Sequence, residues 1–308
     1  MNTQPSNTPE STGVSDSAYN KAPTQPFYWS VWRELWENRS IYVAPLIVAV
    51  VILFGFLVST VGMAQRRQSV LLLDQTRQRA VIGVPYDAAA MILIVTAFIV
   101  GVFYCLDALH SERRDRSILF WKSLPVSDRT TVLSKAIIPL LVLPVITFGI
   151  IVLVQFLMLL WSSVILLPSG LSGTTWTRFN LFQQSLILVY SLIVIALWHA
   201  PIYGWALLIS GLARRATFLW AVLPPLAIGV LEKIAFNTSH FVSMLKDRVF
   251  GAGDTAFAFQ PHRGVAIDSL IQLTPGRYLA TPGLWIGLAF AAAFVAIAVR
   301  QRRYQGPI

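Results

Sequence analysis

The feature that most limits what this chain can become is a series of long apolar runs. They lie at 41–63, 87–109, 136–167, 181–212, 216–236 and 283–299. A run of about 20 such residues crosses about 30 Å of hydrocarbon as a helix. The third and fourth runs are longer than a crossing needs, so they must tilt, kink or project from the bilayer. Pro201 in the fourth and Pro224-Pro225 in the fifth give natural kink points. The chain is 56 % hydrophobic and 12 % charged, where soluble domains carry about 25 % charged residues. A chain this poor in polar surface cannot cover itself in water, and an integral membrane protein is the reading that follows.

The formal net charge is +10. In a soluble protein that would point to nucleic acid. Here the basic residues gather at the ends of apolar runs, which is what membrane topology requires, so no nucleic-acid partner is expected. With the N-terminus inside, the inner segments hold 14 of the 24 Lys and Arg residues. Arg66, Arg67, Arg77 and Arg79, all in one outer loop, run against that count. The Arg214-Arg215 turn and the "RQRR" tail lie directly at span ends, where the rule is strongest. Both termini are therefore placed in the cytoplasm.

Residues 1–24 are rich in Ser, Thr, Asn and Pro and read as a disordered cytoplasmic tail. No basic segment leads directly into an apolar one there, so the tail is not read as a signal peptide. Residues 25–40 follow, with "FYWSVWRELWEN" at their centre. Tyr28, Trp32, Leu35 and Trp36 share one helical face, and Ser30, Arg33, Glu34 and Glu37 the other. This is an amphipathic helix suited to the headgroup boundary, with membrane lipid as its partner. The six-span domain then occupies 41–308. Its first outer loop, 64–86, has room for a short helix. Its largest, 237–282, contains "HFVSMLKDRVF", with Phe241, Val242, Leu245 and Val249 at helical spacing. Such half-apolar segments are too short to span and suit interfacial or re-entrant helices.

Catalytic chemistry is hard to find. There is no G-x-x-x-x-G-K-S/T loop, no H-E-x-x-H and no G-x-S-x-G. The single Cys105 lies in an apolar run and reads as a small buried hydrophobe. The four histidines show no ligand spacing, so no metal site is expected. Three polar residues in or beside the spans are candidates for a pathway or gate: His199, Gln155 and Glu232. Each has a plainer reading. His199 can bond backbone carbonyls near Pro201, Gln155 can bridge helices, and Glu232 can pair with basic neighbours.

The densest charge in the chain is "SERRDRSILFWKSLPVSD", residues 111–128. Glu112, Arg113 and Arg114 open it. Ser117 follows, then the apolar run Ile118, Leu119, Phe120 and Trp121. Pro125 ends helical geometry, Ser127 can cap the next helix, and Lys135 enters the third span. This ordered pattern resembles the membrane subunit of ABC-2-type ABC transporters, the permeases of many bacterial exporters. The match is good over about 25 residues, and many relatives have a glycine where this chain has Arg116.

The resemblance implies an all-α membrane protein of ABC-2, type V exporter-like architecture, with six transmembrane helices after an amphipathic interfacial helix. It implies a bacterial inner-membrane permease that exports an apolar or amphipathic substrate. The partners would be an ABC ATPase subunit and a second permease subunit, in a homodimer or heterodimer. ATP and magnesium would bind the ATPase, so this chain needs no cofactor and is not itself an enzyme. The loop 111–135 would seat a coupling helix on the ATPase through Glu112, Arg113, Arg114, Ser117, Ile118, Leu119, Phe120, Trp121 and Pro125. The alternative is a non-transporting membrane scaffold or sensor that docks a soluble partner through the same loop.

Overall fold

A computed structural model describes residues 26–123, 126–258, 270–304 and 306. The tail 1–24, the side chain of Trp121, Pro125 and residues 259–269 lie outside this description. The described residues form helices and no strand, with one isolated bridge between Phe257 and Leu273.

The chain opens with α1 (Pro26–Glu37) and α2 (Ser40–Ser59), followed by α3 (Met63–Leu71). Next come the long α4 (Gln75–Ala108) and the short α5 (His110–Arg114), α6 (Ser117–Ser123) and α7 (Asp128–Ile137). A π-helical turn at Ile138–Val142 joins α7 to α8 (Leu143–Leu166), and α9 (Gly173–Arg178) precedes α10 (Leu181–Leu212). The chain then runs through α11 (Thr217–Phe236), α12 (His240–Phe250), α13 (Ala252–Ala256), α14 (Pro275–Ala280) and α15 (Pro282–Tyr304). Six segments are long and apolar enough to cross a membrane: Ser40–Ser59, Gln75–Arg114, Asp128–Ser169, Leu181–Leu212, Thr217–Phe236 and Pro282–Tyr304.

The fourth, fifth and sixth crossings fall close to their expected places. The second and third are longer than the hydropathy indicates. Asp74 accepts from the Arg77 amide and starts α4 twelve residues before the apolar run at 87. Pro85 sits inside that extension without ending it. Likewise Ser127 accepts from the Thr130 amide at 3.1 Å and starts the third crossing at Asp128 rather than 136. Thus the stretch 111–135 holds three helices, and its last part belongs to a span.

One apolar core lies where α4, α7, α10 and α15 meet, around Tyr104, Cys105, Val132, Tyr203 and Leu207. A second, around Tyr86, Leu93, Val154 and Leu188, holds α2, α4, α8 and α10. A third packs Trp198 of α10 against Phe257 and Tyr278. α10 and α15 pack closely because Gly204 carries no side chain. A Cβ there would lie 3.2 Å from the Ala291 carbonyl oxygen, and small residues let membrane helices approach in this way. By contrast, only 6 % of the α11 apolar window is buried within the chain.

Candidate functional site

Most of the polar face of α1, with Ser30, Arg33 and Glu34, does not meet water. It turns inward onto α7, and the aromatic face, with Tyr28, Trp29, Trp32 and Trp36, is exposed. Tyr28 stacks over Trp32 at 6.4 Å between ring centres, and Trp32 meets Trp36 edge-on. That sets an aromatic rack at the surface and a buried carboxylate behind it.

The carboxylate is Glu34, whose side chain is 0 % exposed. It accepts from Lys135 Nζ at 2.8 Å, Arg33 at 2.8 Å and the Tyr104 hydroxyl at 2.9 Å. Lys135 also lies 3.2 Å from Glu112, and Arg33 lies 3.6 Å from it. Arg302, near the end of α15, forks between Glu112 and Asp128, the latter at 3.1 Å. Arg33, Lys135 and Arg302 thus balance Glu34, Glu112 and Asp128. Burial works to raise the Glu34 carboxyl, but the Lys135 ammonium and the Arg33 guanidinium outweigh it and hold Glu34 below its ordinary value. Half-exposed Glu37 lies 3.5 Å from Arg33, and there burial wins and its carboxyl is raised.

This cluster ties four parts of the chain together at one end of the bundle: α1, the α5 segment, α7 and the end of α15. Breaking such a buried pair by removing one partner typically costs about 3–5 kcal/mol, because the other charge is left stranded.

The stretch 110–118 hangs from the cluster. Glu112 is held by Arg302 and Lys135. Arg113 is buried and donates to the carbonyls of Gly211 and Gly306. His110 Nδ1 lies 3.1 Å from the Ala213 carbonyl, and the Ser210 hydroxyl accepts from the amides of Leu109 and His110 at 2.9 Å. Ser117 donates to the Glu112 carbonyl at 3.3 Å. Ile118 is buried, in a small crevice with Leu109, Gly211, Ala298 and Arg302. Leu119 and Phe120 are 58 % and 60 % exposed, and the Arg114 side chain is also 60 % exposed. Of the nine residues of the expected coupling surface, the seven with described side chains divide. Glu112, Arg113, Ser117 and Ile118 anchor the stretch, while Arg114, Leu119 and Phe120 face outward.

Arg116 joins α5 to α6 at φ +58°. That left-handed conformation is free for glycine and costs other residues about 1–2 kcal/mol. This chain meets the turn with a strained arginine.

The three pathway candidates are not brought together. His199 Nδ1 lies 2.8 Å from the Ile195 carbonyl and Nε2 lies 3.1 Å from that of Val249, so it links α10 to α12. Gln155 donates to the Tyr86 carbonyl at 3.3 Å, joining α8 to α4. Glu232 accepts from the amides of His240 and Phe241 at 2.7 and 2.9 Å and from Thr238 at 2.8 Å. That satisfies the start of α12, where Ser239 makes no side-chain cap. Each residue bridges or caps helices.

Around His199, Arg248 of α12 sits 4.5 Å from the centre of the Trp198 ring and donates to the Gly283 carbonyl at 2.6 Å. Trp198 in turn donates to the Asp247 carbonyl at 3.0 Å, and Tyr278 to that of Val194. The helices α12 to α14, short of a crossing, are thereby fastened onto the side of α10. Among the described residues no group of His, Cys, Asp and Glu is placed to hold a metal ion.

Glu34, Asp128 and Arg302 had no part in the sequence-based site. A charged residue on the polar side of an amphipathic helix gives no sign that this side faces protein rather than water. Comparison with protein-family models, with curated proteins and with solved structures finds no match.

Proposed function

We propose that this chain is the membrane-spanning permease subunit of an ABC-2-type ABC transporter, exporting an apolar or amphipathic substrate. A separate ATPase subunit would drive it. The observation that carries this is the build of the docking stretch. A short helix presents Leu119 and Phe120 outward, and behind it Ile118, Glu112 and Arg113 are fixed to three other parts of the bundle. A displacement of that helix would be passed directly to α1, α7 and α15. A solvated loop that served only topology would need neither the exposed aromatic nor the buried anchors. Aromatic and Arg side chains are the usual energetic anchors of an interface, so Arg114, Leu119, Phe120 and Trp121 are assigned the ATPase contact.

The remaining parts fit the same role. Both termini would lie in the cytoplasm of a bacterial inner membrane, which puts the docking stretch in the compartment of the ATPase. The bare flank of α11 suits a second permease subunit, with the pathway between the two copies. The α12–α14 segment would form the external gate, and ATP with magnesium would bind only the partner.

The test is to replace Phe120 and Trp121 together with alanine in the full-length chain. Digitonin extracts should then lose the co-purifying P-loop ATPase, while the amount of chain in the membrane stays the same. Stoichiometric ATPase with transport intact would overturn the assignment. An ATPase-bound wild type whose vesicles show no ATP-dependent substrate movement would indicate the scaffold instead.

A further inference from the structure

The end of the bundle opposite the ion cluster carries an arginine excess that the permease role leaves unused. Segments 60–86 and 167–184 contain five arginines, Arg66, Arg67, Arg77, Arg79 and Arg178, against one acid, Asp74. With that end outside the cytoplasm, the positive-inside tendency works against such an excess. Arg66, Arg77 and Arg79 are exposed, and Arg178 is half-buried. Arg67 is different, because only 6 % of it is exposed.

A guanidinium carries five N–H donors. Among the described residues, the only hydrogen-bond acceptor that meets the Arg67 side chain is Thr175 Oγ1, 3.2 Å from Nη2. The acids Asp74 and Asp87 have other partners: Asp74 lies 3.4 Å from Arg77, and Asp87 accepts from Gln184 at 3.1 Å. The other buried cations are answered. Lys135 and Arg302 meet carboxylates, and Arg113 meets two carbonyls. A buried charge without a counter-charge is costly, and burial pushes the Arg67 guanidinium below its ordinary value. Beside it is the Thr175 hydroxyl. The Tyr86 hydroxyl lies 3.4 Å from Ser162 Oγ. Tyr86 is itself fixed by stacking on Phe179 at 4.4 Å.

We propose that Arg67, with Thr175, forms a binding site for the phosphodiester of an anionic phospholipid. A planar fork of donors beside a hydroxyl group is suited to phosphate oxygens. The lipid, rather than free phosphate, is favoured by the surroundings. Val61, Leu72, Leu167 and Phe182 are exposed on the segments that carry the site, and acyl chains would cover them where a small ion would not. The exposed arginines would concentrate anionic headgroups there. The site is independent of whether the chain transports anything.

The test uses the full-length chain in a maltoside detergent and phosphate-free buffer, with phosphatidylglycerol, phosphatidylcholine or inorganic phosphate added separately. Native mass spectrometry should show one tightly retained phosphatidylglycerol, and thermal unfolding should shift upward with it. Arg67→Gln should weaken retention about tenfold or more, and Arg67→Lys should keep part of it. The paired change Arg77→Gln with Arg79→Gln should leave the tight site filled. A shift with inorganic phosphate and none with phosphatidylglycerol would overturn the lipid assignment. Equal loss from the surface pair would overturn the site in favour of diffuse attraction. If Arg67→Gln does not fold, the wild type still decides, since no phosphatidylglycerol retained or no preference over detergent alone rejects the proposal.

Discussion

Lys135 stands between Glu34 and Glu112 with 3 % of its side chain exposed, so none of the three charges can turn to water if a partner is lost. Lys135→Met should lower stability by about 3–5 kcal/mol, read as thermal unfolding in detergent. Adding Glu34→Leu should return part of that loss, because it removes one stranded carboxylate. A double variant no better than Lys135→Met would mean the two residues are not coupled. The same cluster sets a pH dependence. Glu34 is held below its ordinary value of 4.5, so its contribution is whole above that pH and fades as pH falls through the lower folded-state value. Melting temperature should therefore drop on acidification below about 4.5, and Glu34→Gln should flatten that part of the curve. Arg116 offers the opposite test. Since it holds φ +58°, Arg116→Gly should stabilise the chain by about 1 kcal/mol. An unchanged or lower melting temperature would show that the arginine side chain contributes more than the turn costs it.

Among the helices, the crossings were legible because continuous apolar length is a one-dimensional signal. The 181–212 run matches α10 at both ends. The starts of α4 and of the third crossing were not legible in hydropathy, because they are set by caps at Asp74 and Ser127 in polar sequence. Helix α1 shows a second limit. Its two faces were readable from spacing, yet Glu34 is buried because α7 brings Lys135 to it from 101 residues away. Long-range pairing of that kind leaves no mark in local periodicity. Helix α12 shows how a span residue serves an adjoining element. Glu232, on α11, takes the first free amides of α12. Glu232→Ala should speed hydrogen exchange at His240 and Phe241 and leave α10 unchanged. Equal exchange in both proteins would remove Glu232 as the cap.

At the scale of the whole molecule, charge is divided by end. One end holds the balanced ion cluster and the outward Leu119 and Phe120, and the other holds the buried Arg67. The charged and apolar stretch 111–128 stood out in the sequence, but the division of its residues into buried anchors and outward side chains did not. Ile118 and Phe120 are two positions apart and both apolar, and only the burial of Ile118, at a crevice it shares with Leu109 and Ala298, separates them. The central claim is that the outward face of α6 meets an ATPase. Cys105 is fully buried, so Phe120→Cys adds the one accessible thiol among the described residues. Labelled there with a photoreactive maleimide in native membranes, the chain should give an adduct with a P-loop ATPase. The same label at Phe236→Cys, on the far end of α11, should not. No ATPase adduct from a stably inserted Phe120→Cys chain, or equal adducts from both positions, would contradict the account.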